Sequence, residues 1–297
     1  VFSLCVVRSF LLRWCVEVEQ SPEFWVYSIT RHPPGCAHME NIHVVTGASS
    51  GVGRALAELL SERGYRVLAL ARREKELREL QRSNPDRIHI LCIDISKDPE
   101  RKRVADWVFH RNYEIASVTH SAAITSKGYL KDLRLETYKE LMSINVEGPL
   151  FLTQVLRPYF QHGARVLHLS SGAAHRAMPY NGLYCISKAA LLMSYSAWNA
   201  DSTGSGEEKH FVCGSAMPGL VDGPMQDAAR QGEYPGVELY RSFKEKGMLV
   251  MPRKVAEFIS WLLFETNEEE FSSQDWNIFD TSHHPLWLNG ALNNSKG

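Results

Sequence analysis

The stretch Thr46-Gly-Ala-Ser-Ser-Gly-Val-Gly53 restricts the folds open to this chain more than any other. It follows directly on Ile42-His-Val-Val-Thr46, which reads as a short β-strand. It opens into a helical stripe of Val52, Leu56, Leu59 and Leu60 that stops at Gly64. Glycine suits a backbone that must turn tightly and come close to an anionic group, and a helix N-terminus there adds partial positive charge. A glycine cluster alone fits an ordinary turn equally well. Lodged between a strand and a helix at the start of a βαβ unit, it predicts a phosphate-binding turn.

The alternation continues along the chain. Strands are expected at Arg66–Leu70, Ile88–Ile93, Ser117–Ser121, Arg165–Leu169, Phe211–Ala216 and Trp276–Phe279. Helices are expected at Arg73–Arg82, Glu100–His110, one long stretch from Glu136 to Phe160, Leu183–Asn199 and Val255–Phe264. Strands rich in Val, Ile and Leu on both faces, separated by helices, belong to a parallel sheet covered on both sides. The expected fold class is therefore α/β: a doubly wound Rossmann fold, a single domain of about seven parallel strands flanked by helices. A chain of 297 residues could hold two domains, but α/β folds run to about 250 residues as one.

That domain is expected to span residues 39–280, with a C-terminal tail at 281–297 and a solvated loop at Asp201–Glu208. Residues 1–38 do not match it. Arg8, Arg13 and Glu17 interrupt the apolar patches of Val1–Val18, leaving nothing near the ~20 residues a membrane span needs. With Arg31-His-Pro-Pro-Gly35 breaking structure and Met39 standing just before the first strand, this extension is expected to be poorly ordered or foreign to the natural chain. Net charge is −1, and no basic stretch is interleaved with aromatics, so nucleic acid is excluded as a partner. The six cysteines form no CxxC pair, which fits a reduced, cytoplasmic protein. His283-His284 has no carboxylate beside it, and no metal is expected. The apolar Pro285-Leu-Trp-Leu288 is expected to cover a cleft or a neighbouring subunit.

The end of the second strand bears on the choice of cofactor. An Asp or Glu there would bind a ribose 2′-hydroxyl and repel a 2′-phosphate. Here Ala71 stands at that place, followed by Arg72 and Arg73. A guanidinium can pair with a 2′-phosphate, which points to NADPH. The plainer alternative is that the two arginines only begin a charged helix. Asp94, ending the third strand, suits either an adenine contact or a turn.

With these features in place, residues from about 40 to 280 resemble the short-chain dehydrogenase/reductase family. The resemblance rests on Thr46–Gly53 as TGxxxGxG and Tyr184-Cys-Ile-Ser-Lys188 as YxxxK. It also rests on Ser171 placed 13 residues before the tyrosine, Asn145 in Asn145-Val-Glu-Gly148, and Pro218-Gly219 after the sixth strand. It implies a catalytic group of Asn145, Ser171, Tyr184 and Lys188. It implies cofactor contacts from Thr46, Gly47, Ser49, Ser50, Gly51, Val52, Gly53, Arg72, Asp94, Ala122, Tyr184, Lys188, Pro218, Gly219 and Val221, and a homodimer or homotetramer. Chemistry supports the catalytic types independently. A carbonyl receiving hydride needs a proton from a nearby acid, and a lysine four residues on shares the helical face of Tyr184 and is expected to lower its pKa. Ser171 would hold the substrate oxygen, and Asn145, by the resemblance, a water that relays protons to Lys188. The chain departs from the family in His120-Ser-Ala-Ala123, where Asn-Asn-Ala-Gly is common, and in lacking a threonine after Pro218-Gly219.

Within the family the chain looks most like sepiapterin and benzil reductases, through Pro218–Asp222, Met225-Gln226, Lys246–Val250 and Trp276–Asp280. Asn277 stands where sepiapterin reductases carry a pterin-anchoring aspartate, so an apolar or aromatic dicarbonyl is the expected substrate. Ser171, Tyr184, Met225 and Asn277 are its expected contacts. The alternatives are an alcohol dehydrogenase, an acyl or steroid ketoreductase, or an NADP(H)-binding protein without turnover.

Overall fold

The computed structural model describes residues 39–204, 211–290 and 292. The expected extension at 1–38, with Cys5, Cys15 and Cys36, lies outside them, as do residues 205–208 of the expected loop. Seven strands form one parallel sheet: β1 (Glu40–Thr46), β2 (Val67–Ala71), β3 (Ile88–Cys92), β4 (Tyr113–His120), β5 (Phe160–Leu169), β6 (Phe211–Met217) and β7 (Asp275–Asn277). Their spatial order is β3-β2-β1-β4-β5-β6-β7. The order reverses between β1 and β4, which opens a crevice beyond the carboxyl ends of those strands. Thr46 there pairs with Leu70 on one side and His120 on the other.

The central strands are apolar on both faces because both are covered. Successive side chains of a strand point oppositely. Val45, Ala69 and Leu167 enter one apolar layer with Leu56, Leu60 and Phe258. Their neighbours Val44, Leu68 and Val166 enter the other with Val104, Val108 and Leu152. The first layer is covered by α1 (Gly51–Glu62) and α2 (Glu74–Ser83), the second by α3 (Asp98–His110). No helix among the described residues is long and apolar enough to cross a membrane.

The long helix expected over 136–160 is broken. It divides into α4 (Leu135–Met142), a wide π-type turn at Ser143–Glu147, and α5 (Gly148–Leu156), and Phe160 already belongs to β5. Pro149 cannot donate a hydrogen bond to the carbonyl of Asn145 four residues back, and widened turns of this kind relieve that mismatch. In the next helix, α6 (Gly182–Gly204), residues 201–204 extend the helix where a loop was expected.

Four short helices carry no apolar stripe long enough to see in sequence: α7 (Pro224–Ala229), α8 (Val237–Glu245), α10 (Glu268–Ser272) and α11 (His284–Trp287). The last packs beside α9 (Pro252–Phe264). Trp287 and His283 are buried there, with His283 stacked on Phe258 and Trp261 at 5.3 Å each. Both ring nitrogens of His283 are engaged, one with Trp287 Nε1 at 2.8 Å and one with the Asn277 carbonyl at 3.0 Å.

Candidate active site

A cleft of about 640 Å³ runs from the glycine turn to Tyr184 and Lys188. The three glycines of the turn have separate reasons to be there. Gly47 has φ +69°, and a side chain on it would lie 2.9 Å from the Ala122 backbone. A Cβ on Gly53 would meet the Gly47 carbonyl oxygen at 2.6 Å, so this glycine lets α1 seat against the end of β1. Gly51 has φ +54° and nothing within 4 Å, which leaves a bare stretch of backbone facing the cleft beside Ser49, Ser50 and Val52. A pyrophosphate needs such a cradle. Thr46 is fully buried and faces the other way: its Oγ1 accepts hydrogen bonds from Ser121 N (3.0 Å) and Ala122 N (3.1 Å), tying β1 to the turn after β4. Ala122 itself lines the cleft.

Arg72, Arg73 and Asp94 all line this end. The cofactor contact expected here was Arg72 alone; Arg73 donates to Ser49 Oγ (2.8 Å) and Ser50 Oγ (2.6 Å), spanning 24 and 23 residues to hold the glycine turn. Asp94 Oδ1 accepts from both Ser96 Oγ (2.7 Å) and Ser96 N (3.0 Å), so a turn role is present. Partial burial works against its ionisation, but those hydrogen bonds and the Arg72 charge hold the carboxyl below the usual range.

At the other end, α6 places Tyr184 and Lys188 one turn apart. Lys188 is buried and donates to the Leu169 carbonyl at 2.7 Å, with its Nζ 5.8 Å from the Tyr184 ring centroid. Ser171, just beyond β5, lines the cleft with Tyr184; its Oγ accepts from Ala173 N at 3.2 Å. Contrary to the expectation that lysine lowers the phenol, burial pushes Tyr184 up to about 12, and the Ser171 hydroxyl offsets this only in part. The cost of removing a phenolate from water dominates the shift. Burial likewise pulls Lys188 down to about 8, with Asp275 opposing that fall.

Asn145 is fully buried in the π-type turn. Its Oδ1 accepts from Ile124 N (2.9 Å), and its Nδ2 donates to Ile124 O (2.9 Å) and Ser187 Oγ (3.1 Å), which clamps the segment after β4 to α6. Pro218, Gly219, Val221 and Met225 line the cleft. Gly219 has φ +75°, and a Cβ there would strike the Phe279 ring at 2.6 Å. Asn277 does not line the cleft: its Oδ1 accepts from Phe279 N at 3.1 Å, a turn that also ends β7 two residues before the expected position.

Two groups escaped sequence reasoning. Asp275 is nearly buried and accepts from Ser170 Oγ (2.6 Å), Ser215 Oγ (2.8 Å) and His175 Nε2 (2.7 Å), and its charge reaches Lys188. Lys127, with Asn181 and Tyr240, forms part of the cleft wall. Neither stands within any local motif. The adjacency of Ser170 to Ser171 was the nearest signal for the first, and none was present for the second.

A family model described as short chain dehydrogenase matches residues 41–234. An uncharacterised oxidoreductase of Schizosaccharomyces pombe is 29% identical over 237 residues, covering 77% of this chain and 92% of its own. The structure of an actinorhodin polyketide ketoreductase with NADPH superimposes with a TM-score of 0.70 at 21% identity, covering 80% of this chain and 95% of that one. A short-chain dehydrogenase/reductase from Burkholderia phymatum in complex with NAD does so at 0.67 and 20%, covering 81% and 88%. The sheet order, the glycine turn and the matched span together make this chain a member of the short-chain dehydrogenase/reductase family.

Proposed function

We propose that this oxidoreductase reduces a ketone or dicarbonyl to an alcohol with NADPH, Tyr184 supplying the proton. The observation that carries this reading is the convergence of Tyr184, Ser171 and a buried Lys188 on the same cleft as the glycine turn. A bound reduced nicotinamide dinucleotide supplies the hydride. The bare Gly51 backbone and Ser49–Val52 suit its pyrophosphate, and Arg72 and Arg73, with Ala71 where a carboxylate would otherwise stand, suit a 2′-phosphate.

The raised phenol rests in the protonated form that reduction requires. With a pKa of about 12, Tyr184 is protonated in all but about one molecule in 10⁵ at pH 7. It is thus ready to donate to a developing alkoxide, which is far more basic still. Ser171, lining the cleft with the phenol, is placed to hold a carbonyl oxygen at the proton. Lys188, with its pKa near 8, is an ammonium at pH 7 and steadies the phenolate left after transfer. Asn145 acts through Ile124 and Ser187, keeping the floor of the cleft in register with α6.

The walls favour a flat apolar substrate. Met178 and Met225 line the cleft and adapt to shape, and the absence of Asn277 from its lining argues against a pterin anchor. The test is NADPH oxidation by wild type and Tyr184→Phe with benzil and sepiapterin side by side, NADH serving as control. Benzil turnover with NADPH, reduced about 10²- to 10⁴-fold by the substitution, is expected. Equal rates in both proteins would remove Tyr184 as the acid, and preferential sepiapterin turnover would overturn the apolar substrate.

A further inference from the structure

Lys127 enters the cleft from the segment between β4 and α4. That segment is fixed to the start of α6: Gly128 N donates to Tyr180 O at 3.1 Å, and Gly128 bridges Asn181. Lys127 Nζ donates to the Tyr240 hydroxyl at 2.8 Å and, more weakly, to Asn181 Oδ1 at 3.5 Å. It lies 4.2 Å from the Tyr240 ring centroid and 5.5 Å from that of Tyr234. Tyr234 stacks on Tyr180 at 5.4 Å, so the ammonium is backed by a wall of rings. Asn181 is one turn before Cys185, whose N–H donates to its carbonyl at 3.0 Å, which puts the Lys127 anchor beside Tyr184.

Every partner of this ammonium is neutral. Among the described residues Lys127 makes no ion pair, and the one carboxylate residue lining the cleft, Asp94, has its oxygen bonded to Ser96. Burial pulls the Lys127 ammonium below the usual lysine range, and the only charge opposing that fall is the Cys185 sulfur rather than a carboxylate. Two of its three N–H donors are engaged, which leaves one for a ligand. A half-buried cation in an aromatic wall without a counter-charge is stabilised by an anion more than by a neutral group.

The geometry points to Lys127 as the residue that selects the substrate: a flat aryl keto acid, whose carboxylate meets the ammonium while its carbonyl meets Tyr184 and Ser171. This inference rests on the carbonyl-reducing reading of the cleft, keeps its flat aryl substrate, and replaces the neutral second carbonyl with a carboxylate.

Phenylglyoxylate and its methyl ester differ only in that charge. Their affinities for the NADP⁺-loaded protein, measured calorimetrically, are expected to favour the acid by about 10- to 100-fold, the range for a charge-assisted hydrogen bond. Added salt is expected to weaken the acid and leave the ester unchanged. In Lys127→Met the acid-to-ester ratio should fall to within about threefold of unity, and in Lys127→Arg it should survive, since the charge remains. The ratio of kcat/KM values with NADPH is expected to follow. A wild type that binds acid and ester alike, or a preference that persists in Lys127→Met, overturns the inference. Should Lys127→Met fail to fold, a wild-type preference insensitive to salt does the same. Lys127-dependent binding of the acid without any NADPH oxidation would instead leave Lys127 as an anion-binding residue and overturn the proposed reduction.

Discussion

Replacing Gly53 by alanine sets two effects of opposite sign against each other at the centre of the cofactor turn. Gly53 lies in the first turn of α1, where alanine is worth up to about 1 kcal/mol more than glycine in helix propensity. Against this, the new Cβ would lie 2.6 Å from the Gly47 oxygen, 2.8 Å from its carbonyl carbon and 2.9 Å from the Thr46 oxygen. The shortest of these is roughly 0.7 Å inside a tolerable carbon–oxygen contact. All three neighbours are backbone, two of them in the turn and one in a fully buried strand end, so no side chain can swing away. Overpacking of this kind costs about 1–3 kcal/mol, and the net expectation is a loss of about 1–2 kcal/mol. For a domain of this size that lowers Tm by about 2–8 °C. Relief by displacing the turn should weaken NADPH binding by about tenfold or more, as sub-ångström misplacement does elsewhere. Gly64→Ala is the matched control. Its φ is +89° with nothing within 4 Å, so it should lose about 1–2 kcal/mol by backbone strain alone with an unchanged NADPH Kd. Thermal unfolding and NADPH fluorescence titration of the three proteins test this. A Gly53→Ala protein with raised Tm and wild-type affinity would refute the close-packing argument.

Two further predictions concern pH. His43 and His168 are buried and held down to about 4 by loss of hydration, and His120 is lowered for the same reason. The unfolded chain takes up these protons near 6.5, so stability is undiminished above that pH and falls between about 6.5 and 4, by roughly 3 kcal/mol for each of the first two; urea midpoints that stay level from pH 7 to 4.5 would contradict it. Asp275 supports the charge on Lys188, whose pKa stands near 8. In Asp275→Asn the lysine loses its proton at lower pH, so the alkaline limb of the kcat/KM profile is expected to move down, and a variant that is merely less active with an unmoved profile would assign Asp275 to structure alone.

How far the site could be read in advance follows from the range over which each feature is determined. Tyr184 and Lys188 share a face because an α-helix brings residues four apart together, and no distant partner is needed for that. The turn at Gly47–Gly53 is similarly local, and so is the cap of α10, where Asn267 and Glu270 bond each other's backbone. The π-type turn was legible in part, since Gly148-Pro149 marks a helix break, although its effect on Asn145 was not. Asn277 went wrong because an amide at a strand end competes for its own backbone, and the bond to Phe279 N turns it from the cleft.

The amino-acid sequence by itself determined the βαβ order, the two-sided burial of the strands, the glycine turn and the helical spacing of the candidate acid, all of which follow from periodicity and steric limits acting within a few residues. The tertiary structure alone decided that Asp275 meets Ser170 across 105 residues, that Lys127 meets Tyr240 across 113, and that Trp287 packs beside Phe258. It also decided the sign of the Tyr184 shift. A pKa depends on how much water and charge surround a group, and that is a sum over every segment the fold brings near it.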